Sequence, residues 1–113
     1  MTELVAIVRR KRATATKEAL ERAGCPGYTQ FPVLGRGRQR GLRGGEAKEG
    51  LSFLPKVLFD LMVEDGQVAE TVEAILRANQ TGEFGDGKIF VVKSIDAYRI
   101  STGEGQKAVE VAG

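Results

Sequence analysis

Two glycine-rich segments combine bare backbone with fixed positive charge, a combination suited to binding polyphosphates. Residues 35–41 read GRGRQRG, and residues 81–90 read TGEFGDGKIF. Glycine lets main-chain N–H groups approach an anion, and arginine or lysine neutralises the charge that those dipoles cannot balance alone. We therefore expect both segments to contact phosphate groups.

The second segment has the glycine spacing of a P-loop as far as Lys88 and departs from it at the next residue. Ile89 stands where a P-loop needs serine or threonine to hold magnesium. A helical pattern precedes this loop and a strand pattern follows it, whereas a P-loop runs from a strand into a helix. The first segment has three residues between Gly37 and Gly41, where the dinucleotide fingerprint has two. The sequence therefore favours neither of these two nucleotide-binding folds.

The residue types of the common catalytic centres are missing. The chain has no histidine and a single cysteine, Cys25, so a histidine-based triad, a Cys/His zinc site and an internal disulfide are excluded. Asp86 is the candidate general base beside Lys88, but its place in a tight glycine loop is more typical of a residue that fixes a turn. The sequence predicts a protein that is not an enzyme.

The hydrophobic patterns predict the elements that must position these segments. Strands are predicted at residues 4–8, 28–34, 56–64 and 89–92, with a short edge piece at 97–100. Helices are predicted at residues 13–23 and from a cap at Asp65 to Asn79, the second with an apolar stripe of Val68, Val72, Ile75 and Leu76. This order predicts an α+β, ferredoxin-like βαββαβ domain with both helices on one face of the sheet. A symmetric oligomer would cover the other face and bring loops of neighbouring subunits together.

The length and composition fit one domain over residues 1–113. Residues 42–52 lack a sustained period and predict a long exposed loop after the second strand, of a length that is usually functional. The glycine-bearing residues 101–113 predict a flexible C-terminal segment. Because no stretch resembles a membrane span or a secretory signal, a cytoplasmic location is expected.

Nucleic acid is not an expected partner, although arginines cluster between residues 36 and 43. The net charge is only +2, and the chain has no tryptophan and no base-stacking motif.

Four motifs in order resemble those of the P-II nitrogen-regulatory proteins, the GlnB/GlnK type of signal transducer. They are the segment at 35–41, FLPKV at 53–57, the segment at 80–90 and the run RISTGE at 99–104. The resemblance extends over residues 4–104. Shorter phrases at 16–20, 33–37, 78–82 and 95–100 are similar to the nitrogenase-associated NifI branch.

The resemblance implies a homotrimer with nucleotide clefts between subunits, in which ATP and ADP compete. The residues it places at the nucleotide are Thr29, Gly35, Arg36, Gly37, Arg38, Gln39, Met62, Gly85, Asp86, Gly87, Lys88, Arg99 and Ser101. Thr29 and Met62 match adenine-side positions, and Arg99 matches an arginine that reaches the phosphates from the neighbouring subunit. A second such arginine is Ser101 here, and the loss of one charge-assisted phosphate contact would cost about 1.5–3 kcal/mol.

The resemblance also implies that 2-oxoglutarate binds beside Mg-ATP. Gln39 matches the residue that completes the Mg²⁺ shell of the bound ATP, and Lys56 matches the one that meets the ligand carboxylate. This is chemically reasonable, because a dicarboxylate next to a triphosphate needs a divalent metal and a lysine to offset charge repulsion.

The long loop is the part that the resemblance assigns to protein targets. Its candidate contact residues are Arg43, Glu46, Lys48 and Leu51. The targets implied are nitrogenase, the proteins that control glutamine synthetase, or an ammonium transporter, which would be the one route to a membrane. The chain's tyrosines are Tyr28 and Tyr98, so the loop lacks the tyrosine that is uridylylated in the enterobacterial type.

The sequence thus predicts a non-catalytic sensor of adenine nucleotide and 2-oxoglutarate that regulates targets in nitrogen metabolism. The alternative is a P-II-like sensor of another metabolite, such as AMP or bicarbonate, with a target outside nitrogen metabolism.

Overall fold

The computed structural model describes residues 1–25, 27–36 and 53–107. The strands are β1 (Thr2–Arg9), β2 (Thr29–Gly35), β3 (Leu54–Val63), β4 (Gly87–Val92), β5 (Ala97–Tyr98) and β6 (Gly105–Gln106), and the helices are α1 (Ala13–Arg22) and α2 (Val68–Asn79). Short 3₁₀ turns at Arg10–Arg12 and Asp65–Gln67 lead into the two helices.

The main sheet has the strand order β2-β3-β1-β4, and each neighbouring pair is antiparallel. Strands β1 and β2 therefore run parallel, with β3 between them. Helix α1 connects β1 to β2, residues 36–53 connect β2 to β3, and helix α2 connects β3 to β4. This is the split βαβ arrangement of a ferredoxin-like domain. The predicted α+β fold is confirmed.

The core lies between one face of this sheet and the two helices. Burial alternates along β1, where Leu4, Ala6 and Val8 are buried and the residues between them are half-exposed. The same period in β3 buries Val57, Phe59, Leu61 and Val63. Leu20 of α1 and Ile75 of α2 pack onto this surface, so apolar alternation in the strands meets an apolar stripe on each helix.

Helix α1 ends at Arg22, within one residue of the predicted end at 23, and Gly24 follows it. This glycine has φ +78, and its N–H donates to the carbonyl of Glu21 at 3.1 Å. The N–H of Cys25 donates to the carbonyl of Leu20 at 3.0 Å. These two bonds satisfy carbonyls that a helix end otherwise leaves unpaired.

The two helices are joined by buried polar contacts. The Asn79 side-chain amide donates to the Thr16 hydroxyl at 3.0 Å and to the Ile75 carbonyl at 2.9 Å. The Arg12 guanidinium donates through Nε to the Ala78 carbonyl at 2.8 Å. Because these groups are fixed by partners on the other helix, the helix layer packs in one register.

The predicted start of the second helix is wrong in detail. Asp65 does not cap it; the Asp65 carboxylate accepts a hydrogen bond from the Thr2 hydroxyl at 2.8 Å and lies 3.4 Å from the N-terminal ammonium. Helix α2 begins at Val68 with no side-chain cap. Leu76, predicted in its apolar stripe, is 40% exposed, because it lines a groove beside β4, the edge strand where the sheet ends.

The predicted edge piece at 97–100 belongs to a separate two-stranded sheet. Strand β5 pairs with β6, and the turn between them is closed by the N–H of Gly103 donating to the Arg99 carbonyl at 2.8 Å. Residues 101–107 of the predicted flexible segment thus form a turn and a strand, and residues 108–113 lie outside the described part. The predicted loop at 42–52 also lies outside it.

The second face of the main sheet is not covered by either described helix. Strand alternation places Phe31, Met62, Phe90 and Val92 on this open face, and each is between 41% and 49% exposed. Half-buried Val5, Ile7 and Leu58 lie between them. No helix among the described residues is long and apolar enough to cross a membrane.

Candidate functional site

The loop at residues 81–87 is organised by the carboxylate of Asp86. Its Oδ2 accepts hydrogen bonds from the backbone N–H groups of Thr81 at 2.7 Å and Gly82 at 2.8 Å, and its Oδ1 accepts from the Thr81 hydroxyl at 2.5 Å. The Thr81 hydroxyl, with the two N–H groups and Arg9, holds the pKa of Asp86 well below its ordinary value. The prediction that Asp86 fixes this turn is confirmed.

Arg9 is a second brace on this loop, and sequence reasoning gave it no role. One of its terminal nitrogens donates to the Phe84 carbonyl at 2.9 Å and to Asp86 Oδ1 at 3.3 Å. Arg9 ends β1 and is paired with Lys56 across to β3. Strand alternation places it on the open face, and that alternation is the signal from which its face, though not its neighbour Lys56, could have been found.

Lys56 lies under the loop and is almost fully buried. Its Nζ donates to the Gly85 carbonyl at 2.8 Å. Burial lowers the pKa of Lys56, and the neighbouring Arg9 charge lowers it further, while Asp86 acts in the opposite direction. A Cβ atom at Gly35 would come within 3.0 Å of Lys56 Cγ, so the predicted site residue Gly35 leaves room for the lysine stem.

Gly87 and Lys88 follow the braced turn and begin β4. Gly87 has φ +122, and a Cβ atom there would lie 2.0 Å from the backbone oxygen of Ile7, so only glycine fits. Lys88 pairs with Ile7, is exposed, and has no acidic partner among the described residues. Its ammonium is therefore available to an anion on the open face.

The hydrogen bonds of the loop leave its later part available to a phosphate. The N–H groups of Thr81 and Gly82 already donate to Asp86, and the N–H of Asp86 donates to the Glu83 carbonyl at 3.3 Å. The anion beside the first glycine is thus supplied by the chain itself. The remaining stretch, from Gly85 to Lys88, combines small residues with a free cation and fits a phosphate group.

The described chain gathers some of the predicted site residues and separates others. Gly35, Arg36, Lys56, Gly85, Asp86, Gly87 and Lys88 lie at the same end of the sheet. Thr29 and Met62 share the open face, but Met62 pairs with Glu3 and Lys88 pairs with Ile7, about 13 Å apart along β1. One subunit therefore does not bring Met62 to the loop.

Arg99 and Ser101 lie in the β5-β6 hairpin at the other end of the sheet. Next to that hairpin, the N–H of Ile95 donates to the Met1 carbonyl at 3.0 Å, and Gln106 on β6 donates to Glu64 at 3.1 Å. Arg99 and Ser101 therefore cannot contact Lys88 of their own chain in this arrangement.

Several predicted residues lie outside the described ranges: Gly37, Arg38, Gln39, Arg43, Glu46, Lys48 and Leu51. The predicted magnesium contact, Gln39, is among them. Within residues 1–25, 27–36 and 53–107, no group of three or more histidine, cysteine or acidic side chains could hold a metal ion.

Charge is distributed unevenly between the two ends of the main sheet. Arg9, Arg10, Lys11, Arg12, Arg36, Lys56 and Lys88 lie at the end that carries the 81–87 loop, which we term the basic end. The opposite end carries Glu3, Glu64 and Asp65 together with the cations Lys93 and Arg99. The basic end is therefore the part of the described surface that favours anionic ligands.

Comparisons with known proteins show to which family the chain belongs. The model of the family described as nitrogen regulatory protein P-II matches residues 1–104. The chain is 45% identical over 114 residues to nitrogen regulatory protein P-II 2 of Methanothermobacter thermautotrophicus, covering 96% of this chain and 97% of that protein. It is 44% identical to nitrogen regulatory protein P-II of Rhodospirillum rubrum, covering 92% and 95%. It is 37% identical to the nifHD1 region GlnB-like protein 2 of Methanosarcina barkeri, covering 92% and 94%.

Proposed function

Since the chain belongs to the P-II family of nitrogen regulatory proteins, we propose that it senses adenine nucleotide together with 2-oxoglutarate and relays their levels to a protein target. Membership of this family makes it a regulatory protein and not an enzyme. The proposal concerns which effectors it binds and which targets it controls.

The nucleotide part of the proposal rests on the braced 81–87 loop, which ends at Gly87 and is followed by Lys88. Asp86, Arg9 and Lys56 hold the loop by hydrogen bonds between 2.5 and 3.3 Å, and Lys88 lies exposed beside it. A preformed loop with a free ammonium binds phosphate without a large ordering cost. ATP and ADP are the proposed ligands, with Mg²⁺ accompanying ATP.

A homotrimer completes the proposed site. The open face exposes Phe31, Met62, Phe90 and Val92, which a symmetric assembly would bury. Because Arg99 and Ser101 lie at the opposite end of their own sheet, they can serve a nucleotide only on a neighbouring subunit. We therefore propose that the clefts form between subunits.

The proposals for the second effector, 2-oxoglutarate, and for the protein target rest on residues that the sequence predicts to contact them. Lys56 and Gln39 are the proposed contacts of 2-oxoglutarate, and the loop at 42–52 is the proposed contact with the target. The names of several relatives place them in nifHD regions of nitrogen fixation. We propose that the protein is cytoplasmic and that its target acts in nitrogen metabolism, such as nitrogenase, a protein that controls glutamine synthetase, or an ammonium transporter.

Calorimetric titration with ATP, ADP and AMP, each with and without Mg²⁺ and 2-oxoglutarate, tests this function. We expect ATP and ADP to compete, and 2-oxoglutarate to bind only with Mg-ATP. If nucleotide binds and 2-oxoglutarate does not, the protein senses another metabolite, such as AMP or bicarbonate.

The Lys88→Met variant tests the site itself. We expect it to weaken both nucleotides by at least tenfold, because a charge-assisted phosphate contact contributes about 1.5–3 kcal/mol. Lys93→Met is the matched control, since Lys93 is exposed and follows the far end of the same strand. Equal affinities in the wild type and Lys88→Met would show that the nucleotide binds elsewhere.

A further inference from the structure

We propose that Lys56 is a positioning residue for the nucleotide: it holds the 85–86 peptide so that Gly87 and Lys88 face the phosphates. This inference rests on the proposed nucleotide site and adds a role for Lys56 that does not require 2-oxoglutarate. In this role Lys56 acts through the loop and does not touch the nucleotide.

The 85–86 peptide is held at both of its polar ends. Lys56 Nζ donates to the carbonyl oxygen of Gly85 at 2.8 Å, and the N–H of Asp86 donates to the Glu83 carbonyl at 3.3 Å. Gly85 has φ +98, which glycine adopts readily because it has no Cβ atom. The hydrogen bonds therefore decide which way this peptide faces, and the shorter one comes from Lys56.

The surroundings of the Lys56 side chain favour this contact. The residue is 7% exposed and passes over Gly35, where a Cβ would come within 3.0 Å of its Cγ. Arg9 lies beside it and repels its charge. A buried ammonium next to another cation costs free energy, and the Gly85 carbonyl and the Asp86 charge offset part of that cost.

The same loop is braced independently by Arg9 and Asp86, which hold residues 81–84. Arg9 donates to the Phe84 carbonyl, and Asp86 accepts from Thr81 and Gly82. Lys56 is the described side chain that reaches Gly85. Without it, the first part of the loop would keep its fold while the peptide before Gly87 could rotate.

Nucleotide affinities of Lys56→Met, measured without 2-oxoglutarate, test the inference. We expect ATP and ADP to weaken by the same factor, roughly tenfold, which corresponds to about 1.4 kcal/mol. The factor is equal because both nucleotides use the same loop. The melting temperature should be unchanged or higher, since a buried charge has been removed, and the amide resonances of Asp86 and Gly87 should shift. Lys93→Met should bind as the wild type does.

Two results of the affinity measurements would overturn the inference alone. One is a Lys56→Met variant that binds both nucleotides as the wild type does. The other is a loss confined to ATP, which would mean that Lys56 contacts the terminal phosphate directly. A wild-type protein that binds neither nucleotide would instead overturn the proposed function, and this inference with it. A lowered melting temperature with unchanged Asp86 and Gly87 resonances would also contradict positioning, because it indicates a general structural role.

Discussion

Asp86 occupies the place in the 81–87 loop where an external anion could otherwise sit. Its two oxygens accept from Thr81, Gly82 and Arg9, so the donors at the start of the turn have a partner within the chain. The loop therefore keeps its shape through a charge that belongs to the protein, and the ligand is left with the free Lys88 ammonium.

Asp86→Asn should lower stability and change its pH dependence. The pKa of Asp86 is depressed in the folded state, so its contribution is present above the unfolded value near 4 and is lost as pH falls through the folded pKa. We expect Asp86→Asn to lower the free energy of unfolding at pH 7 by about 1–3 kcal/mol. Urea denaturation between pH 2 and 7 should show a smaller acid loss in the variant.

Glu18→Gln is the control for that experiment, because Glu18 is exposed on α1 and distant in sequence from the loop. It should leave the free energy of unfolding within about 0.5 kcal/mol of the wild type. An Asp86→Asn variant with the same acid-induced loss as the wild type would contradict the role assigned to Asp86.

The role of a single residue can be predicted from the sequence where neighbouring residues in the chain form its surroundings. The turn-fixing role of Asp86 follows from the order of residues within one short loop, and the nucleotide contacts of Gly87 and Lys88 stay predictions. Arg9 and the contact from Lys56 to Gly85 depend on strand register, which brings residues 9, 56 and 85 together. A register cannot be read from one strand at a time, so these contacts were not predicted.

Helix α1 provides a test of local backbone conformation at the scale of an element. Gly24 has φ +78 and open space around it, whereas Gly66 has open space and no such φ. We expect Gly24→Ala to lower the free energy of unfolding by about 1 kcal/mol or more, because a Cβ disfavours the left-handed region. Gly66→Ala should change it by less than about 0.5 kcal/mol. Equal effects in urea denaturation would contradict this account of the helix end.

Elements were predicted where periodicity is strong. Short apolar runs located β1 and β4, apolar alternation located β3, and the helical stripe located α1 and α2. The pairing of β5 with β6 was missed, because Gly105–Gln106 carries no hydrophobic alternation and is recognised only by its partner strand. The start of α2 was misplaced because Asp65 binds Thr2 from the other end of the chain, and that contact competes with capping.

The open face determines how the whole molecule is expected to assemble. Phe90→Glu places a charge at the centre of the surface that the proposed trimer buries, next to Val5. Burial of a phenylalanine contributes about 1.5–3 kcal/mol, so we expect sedimentation to show dissociation into monomers at micromolar concentration. Leu76→Glu, at a residue with similar exposure on the helix layer, should leave the trimer intact. A trimeric Phe90→Glu would place the interface elsewhere.

The basic end also has a consequence for the rate at which the protein meets a partner. Among the described residues, cations predominate at the loop end of the sheet, whereas Glu3, Glu64 and Asp65 accompany Lys93 and Arg99 at the other end. This described part therefore has an electric dipole, although the net charge of the chain is only +2. In the field of an acidic partner such a dipole turns the loop end forward before contact. Association should therefore slow as ionic strength rises, with little change in dissociation, and bound nucleotide would weaken this steering by neutralising part of the basic end.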